Sequence, residues 1–290
     1  MKVFVLLLIL SGCLGGTRLA AQAQPSCPLF DTTPKQIADA VLLDAYNAQV
    51  HRIRSLYASA MVSGQTRKDQ VAGKHAEELP GIIDMVKPDL VRIRGVLRLN
   101  SSRGFEMTSD GHEFSLLVPE DNKKVFLVGP SDAPAKSKIP RENLRPQPFL
   151  DALRWQEGKL RAAPGAASPE TRTLEIELPP TRNGARTAKV EFDLRGGVVN
   201  SLAAYSDAGQ LIYEARYRDW KELKTASEKG PEGCFPRDIH LTRPEDDYEL
   251  NLRITQIALN PDIPMSTFRP SPPHGIPVMH VDMQGNTSGR

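Results

Sequence analysis

Leu90-Val91-Arg92-Ile93-Arg94-Gly95-Val96-Leu97-Arg98-Leu99 reads as a β-strand with two unlike faces. Val91, Ile93, Leu97 and Leu99 fall on one side of a period-2 chain, and Arg92, Arg94 and Arg98 fall on the other. A strand of this kind belongs to an antiparallel sheet that buries one face and leaves the other, here a basic one, to water.

The pattern continues outward in both directions. Upstream, Ser55–Ser63 reads as a strand, and strands resume from Ile82 after a polar and charged stretch over 64–79 that suits a strand with a long loop. Downstream, Gly104–Thr108 continues the alternation. Asp110-Gly111 is a hairpin signal ahead of Phe114, Leu116 and Val118, and Val125–Val128 follows a turn at Pro119–Lys124. Later strands are expected at Leu174–Leu178, Val190–Leu194, Val199–Ser206, Leu211–Asp219, Asp238–Arg243 and Tyr248–Ile257. Asn183-Gly184, Gly196-Gly197 and Ala208-Gly209 stand where turns belong.

Two segments carry helical spacing. Thr33 is an N-cap candidate, with Pro34 at the first helical position and Gln36 completing a capping box. Ile37, Val41, Leu42, Val50 and Ile53 extend that helix to about Arg54. Pro146 to about Trp155 is the second, with Phe149, Leu150, Leu153 and Trp155 expected on one side. About ten or eleven strands with one charged face cannot be covered by helices on both sides. The expected fold is therefore α+β: a strongly curved antiparallel sheet, a half-open barrel, with helices in its concavity.

The first residues point to export. Lys2, the apolar run Val3–Leu10 and small residues before a cleavage point make a signal segment; eight apolar residues are too few to cross a bilayer. Two cuts stand. Leu10-Ser11-Gly12-Cys13 resembles a lipobox, which makes Cys13 the lipid-bearing N-terminus; Ala21-Gln22-Ala23 is an ordinary secretory site that releases a soluble protein. Under the first cut the layout is a signal peptide at 1–12, a linker at 13–32, one domain at 33–282 and a flexible tail at 283–290, anchored at the outer membrane and facing the periplasm. Cys27 and Cys234 remain, and an oxidising compartment lets them pair, a link worth about 4–5 kcal/mol by loop entropy. Two free thiols are the alternative.

The rest of the composition excludes more than it suggests. A net charge of +2, no long block of one sign and few aromatics give no nucleic-acid footprint. The six histidines form no close ligand pair, and Glu245-Asp246-Asp247 lacks the oxygen spacing of a calcium loop. No G-x-S-x-G occurs. With neither a nucleophile–base constellation nor a metal or cofactor motif, no enzyme, cofactor or metal site is expected. The Arg92/Arg94/Arg98 face reads as a solvated strand face, or as a contact for anionic headgroups or an acidic envelope partner.

Three stretches carry a resemblance. They are Lys87-Pro88-Asp89-Leu90-Val91-Arg92-Ile93; Asp110-Gly111-His112-Glu113-Phe114-Ser115-Leu116 through Pro119, Asn122, Val125 and Gly129; and Ile257–Pro264 with Phe268 and Pro272-Pro273-His274-Gly275-Ile276-Pro277-Val278. In that order they resemble the LolA/LolB group of lipoprotein carriers and receptors, in the wider set with LppX-like lipid binders and the RseB sensor domain. The resemblance implies an incomplete antiparallel barrel with a helical lid over an apolar cavity that takes the acyl chains of a lipid or lipoprotein. The exposed apolar loop residue of a LolB-type receptor has no counterpart in the polar 66–78 segment. The cavity is expected between the two helices and the concave sheet, lined by Val41, Leu42, Val91, Ile93, Phe114, Leu116, Phe149, Leu153, Phe192 and Ile254. The other reading of the same residues is a filled core in a module that binds a protein partner.

Overall fold

The structure is a computed structural model that describes residues 27–33, 36–66, 78–95, 105–120, 123–133, 145–162, 168–180, 184–224, 231–245, 247–269 and 271–289. The signal segment, Cys13 and Arg98 lie outside the described residues, as do Pro34 and the polar stretch at 67–77. None of the described helices is long and apolar enough to cross a membrane.

Fifteen strands form one open sheet. In chain order, α1 (Asp39–Arg52) precedes β1 (Ser55–Thr66), β2 (Leu79–Val86), β3 (Leu90–Gly95), β4 (Phe105–Asp110), β5 (Glu113–Glu120) and β6 (Lys123–Pro130). The helix α2 (Gln147–Leu153) follows, then β7 (Lys159–Ala162), β8 (Thr171–Glu177), β9 (Thr187–Asp193), β10 (Val198–Tyr205), β11 (Leu211–Lys224), β12 (Pro231–Arg243) and β13 (Tyr248–Leu259). A 3-10 turn at Met265–Phe268 leads to β14 (Val278–Val281) and β15 (Thr287–Ser288). Across the sheet the order is β15-β14-β6-β5-β4-β3-β2-β1-β13-β12-β11-β10-β9-β8-β7. Two meanders, β1–β6 and β7–β13, thus meet at the β1–β13 ladder. Every ladder is antiparallel except β14 on β6.

One apolar core takes residues from nearly every strand, among them Ala58, Ile83, Val91, Met107, Leu127, Leu174, Val190, Leu202, Ile239, Leu252 and Met279. Laid flat at about 4.8 Å per strand, fifteen strands would span roughly 65–70 Å and could not share one core. The sheet therefore curls, as the charged outer faces and the lack of covering helices require. The expected α+β half-open sheet with helices in its concave face is the architecture found.

Its details differ from the sequence reading at both helices and at the ends. α1 starts at Asp39 rather than Pro34, and its N-cap, Ala38, offers no side-chain acceptor. The Thr33 amide instead donates to Asp31 Oδ1 at 2.9 Å, a local turn that competes with capping. Asp39 supplies the negative charge that a first turn favours and grips Arg172 of β8 with both oxygens, at 2.8 and 2.9 Å. Four strands were not separately expected: β2 in full, the edge strand β7, and the pair β14 and β15. The described part of the 283–290 tail turns through Gly285, at φ 82°, and enters β15, so it belongs to the sheet. The end of the expected linker also docks: the Leu29 amide donates to Gly197 O at 2.6 Å, and Phe30 meets Phe192 edge-on at 6.1 Å.

Cys27 and Cys234 form a disulfide, with their Cα atoms 5.7 Å apart. The bond ties the segment before α1 to β12.

After β13 the chain leaves the sheet as a strap, described over 261–269 and 271–277. It crosses the outer face to reach β6, where Phe126 donates its amide to Pro277 O at 3.1 Å. Phe268 on the strap is 2% exposed and lies outside the main core. Beside it, the Arg269 guanidinium donates to Asp110 Oδ2 at 3.0 Å across β4.

Candidate functional site

Of the ten residues expected to line a cavity, nine are buried in the apolar core, a placement that the filled-core reading shares. Leu42, Val91, Ile93, Phe114, Leu116, Phe149, Leu153, Phe192 and Ile254 are all buried in the shared core. Val41 is the exception: it is 47% exposed on the outer side of α1. The buried stripe of that helix is Leu42, Tyr46, Gln49 and Val50, one position round from Val41.

The sequence reading missed the aromatic centre of this face. Tyr46 of α1 stacks on Trp155 with ring centroids 5.6 Å apart and 10° between planes. Trp155 meets Tyr217 edge-on at 5.1 Å and Trp220 at 5.6 Å, both from β11. The Tyr46 hydroxyl donates to Gln156 O at 2.8 Å, and Trp220 Nε1 donates to Val199 O at 3.2 Å. Burial pushes the hydroxyls of Tyr46, Tyr213 and Tyr217 far up, so all three stay neutral donors across the ordinary pH range. The signal for Tyr46 was its spacing, four residues after Leu42. Trp155 was expected to end the second helix on its apolar side; it follows α2 instead, and its stacking on Tyr46 was not foreseen.

Both helices are pinned to the sheet by polar contacts. Asn47 pairs with Gly158 in both directions, donor and acceptor each at 3.0 Å, as a strand neighbour would. Gln49 Nε2 donates to Cys234 O at 2.6 Å. On α2, Asp151 is completely buried and ion-paired with Arg243 of β12; Gln147 also donates to it, at 2.6 Å.

The turn Lys87-Pro88-Asp89 between β2 and β3 clasps the C-terminal ends of both helices. Lys87 Nζ donates to Val50 O in the last turn of α1 at 2.6 Å, where a cation offsets the helix dipole. Arg154, just beyond α2, donates to Pro88 O at 2.7 Å and pairs with Asp89. Burial, with Arg154 nearby, pulls the Lys87 ammonium down from 10.5 to about 8. Below about pH 8 folded and unfolded chains both hold the proton, and desolvation costs stability. Between about pH 8 and 10.5 the unfolded chain binds more protons than the folded one, so stability rises with pH across that window. Denaturant titrations at pH 7 and pH 10 are expected to show Lys87→Met gaining relative to wild type at the lower pH and losing that advantage at the higher one. A pH-independent difference between the two proteins would contradict the assignment.

The Arg92/Arg94 face is solvated only in part, because the strap packs beside it. Arg92 pairs with Glu106 of β4 at 2.6 Å, with both side chains about three-quarters buried. Arg94 is half-buried beside Asp84, and Asp84 is only 7% exposed. Alternation had set these arginines opposite the core correctly, but it carries no information about a segment some 170 residues later packing beside them.

Among the described residues no group of three or more histidine, cysteine, aspartate or glutamate side chains is placed to hold a metal ion. The arrangement on the concave face is one of apolar and aromatic surface with neutral hydroxyls, closed by two helices.

No protein-family model matches the chain, and no curated protein matches it. Solved structures do. It is similar to an outer-membrane lipoprotein-sorting protein domain from Vibrio parahaemolyticus, with 10% identity over 78% of this chain and 95% of that one and a TM-score of 0.47. It is similar to a LolA superfamily protein from Nitrosomonas europaea, with 11% identity over 80% and 98% and a TM-score of 0.47. A DUF1329 family protein from Desulfovibrio piger matches with 9% identity over 78% and 94% and a TM-score of 0.49.

Proposed function

We propose that this protein is a non-catalytic binder of acyl chains in the cell envelope, a carrier or receptor for a lipid or lipoprotein. The observation that carries the reading is the concave face: one apolar surface drawn from a curled fifteen-stranded sheet and closed only by a 14-residue and a 7-residue helix. The helices set their buried side chains, Leu42, Tyr46 and Val50 on α1 and Phe149, Leu150 and Leu153 on α2, against that surface. A guest that enters between helix and sheet exchanges one apolar contact for another and gains about 0.8 kcal/mol for each methylene it takes from water. The disulfide supports an oxidising compartment.

Native mass spectrometry of protein purified from membranes is expected to show bound lipid, and a fluorescent long-chain fatty acid is expected to bind the delipidated protein. Phe149→Asp is expected to weaken that binding at least about tenfold, since it sets a charge among apolar walls. Neither co-purified lipid nor fatty-acid binding would sink the reading.

Attachment through Cys13 belongs to the same proposal. Two or more acyl chains give stable anchoring, and 14–26 would tether the domain to the outer membrane's periplasmic leaflet. In cell fractionation, Cys13→Ala is expected to move the protein from the membrane to the soluble fraction. A wild-type protein already soluble, with Gln24 as its first residue, places the cut after Ala23 and makes the carrier a soluble one.

A further inference from the structure

A second concavity lies on the opposite face of the sheet. Where the strap leaves β13 it stands off β1, β2 and β3, and a groove of about 380 Å³ opens between them. That is within the range of small-ligand sites, roughly 300–1,000 Å³. Tyr57 of β1 and Ile263 of the strap form apolar walls, and Asp84, Arg92 and Arg94 line the groove beside them.

The two arginines differ in their commitments. Arg92 is engaged by Glu106, through Nε at 2.7 Å and a terminal nitrogen at 2.6 Å. Arg94 Nε is buried and has no hydrogen-bond partner among the described residues. Arg94 is nevertheless only half-buried and lines the groove, and an oxyanion is the partner that a planar guanidinium fork fits best. Asp84 stands opposite Arg92 in the β2–β3 ladder, diagonal to Arg94. Burial pushes its carboxyl up against the pull of Arg94 and Arg92. With Asp262 also in the lining, the groove has cations for an incoming anion but tolerates little added negative charge.

We propose that this outer groove is a binding site for a small organic anion, with one carboxylate or phosphate held by the Arg94 guanidinium and a short apolar body against Tyr57 and Ile263. The site is on the face away from the two helices and does not rest on the acyl-chain reading of the concave face.

The test is calorimetric titration of the exported chain, first saturated with a long-chain fatty acid methyl ester, which has no anionic head for the outer groove, so that the inner face does not contribute. The probes are hexanoate, hexyl phosphate, hexanol and inorganic phosphate. Hexanoate or hexyl phosphate is expected to bind at one site, with hexanol and inorganic phosphate each weaker by about tenfold or more. Arg94→Gln is expected to weaken binding by at least about tenfold, and Arg94→Lys to fall between it and wild type. Asp84→Asn is expected to tighten it severalfold by removing a like charge, which a merely structural role for Asp84 would not do. Competition by phosphatidylglycerol vesicles that depends on Arg94 identifies the anion as a lipid head; no such competition identifies it as a free solute. Equal binding of hexanol, equal binding of inorganic phosphate, or an Arg94→Gln protein that is folded by circular dichroism and binds as wild type overturns the proposal. Methyl-ester binding without probe binding fails this site alone, and probe binding without methyl-ester binding fails only the inner one.

Discussion

The Cys27→Ser/Cys234→Ser protein is expected to be less stable than the oxidised wild type by about 2–5 kcal/mol, a fall in thermal midpoint of about 5–15 °C. The bond closes a loop with a sequence separation of 207, for which loop entropy alone gives about 5 kcal/mol. The native side of the balance adds to this. Without the bond, the segment ahead of α1 is held by the Leu29–Gly197 hydrogen bond and the Phe30–Phe192 contact. The Cys234 carbonyl, which accepts from Gln49, also lies at the bridge, so α1 loosens with it. Differential scanning calorimetry with and without reductant reads the effect. An unchanged midpoint, or two titratable thiols in the native protein, is the contrary result.

The second large effect is expected at the buried ion pair under α2. Asp151→Ala should cost about 3–5 kcal/mol, because it leaves the Arg243 guanidinium, whose side chain is 12% exposed, without its carboxylate. Replacing both, as Asp151→Leu/Arg243→Met, should recover most of that loss, since well-packed apolar residues avoid the desolvation of two charges. Urea unfolding of the three variants measures this. A double variant no more stable than Asp151→Ala would show that the pair does more than neutralise itself. Because this pair joins α2 to β12, the single variant should also release α2 and raise the rate at which a fluorescent fatty acid enters the concave face.

What the sequence made legible follows from which forces are local. The β3 strand, the Asp110-Gly111 turn, α2 and the burial of nine of the ten expected lining residues were all readable, because alternation and helical spacing fix which side of an element meets the core. Three features were not. The start of α1 turned on a competition between Thr33 as a cap and the Asp31 turn, and both options are written in the same few residues. The short strands β7 and β15 bury almost nothing, so they lack an apolar pattern to read. The partly covered state of Arg92 and Arg94 depends on the strap, and nothing near β3 announces it. The aromatic centre was missed for the same reason: Tyr46, Trp155 and Tyr217 come from three distant segments, and only the curl of the sheet brings them together.

The meeting of the two meanders at β1 and β13 has a consequence in time. Leu56 pairs with Leu259 and Thr66 with Tyr248, partners roughly two hundred residues apart, while most other ladders join neighbours in the chain. As the polypeptide emerges, β1 gains β2 at once and then waits for β13, which arrives near the end. Throughout that interval its other backbone edge is open, with Leu56, Ala58, Ala60 and Val62 along one side, and an open apolar edge pairs readily with another chain. The protein is therefore most exposed to aggregation while still incomplete, and the hazard lies at the centre of the finished sheet rather than at its rims.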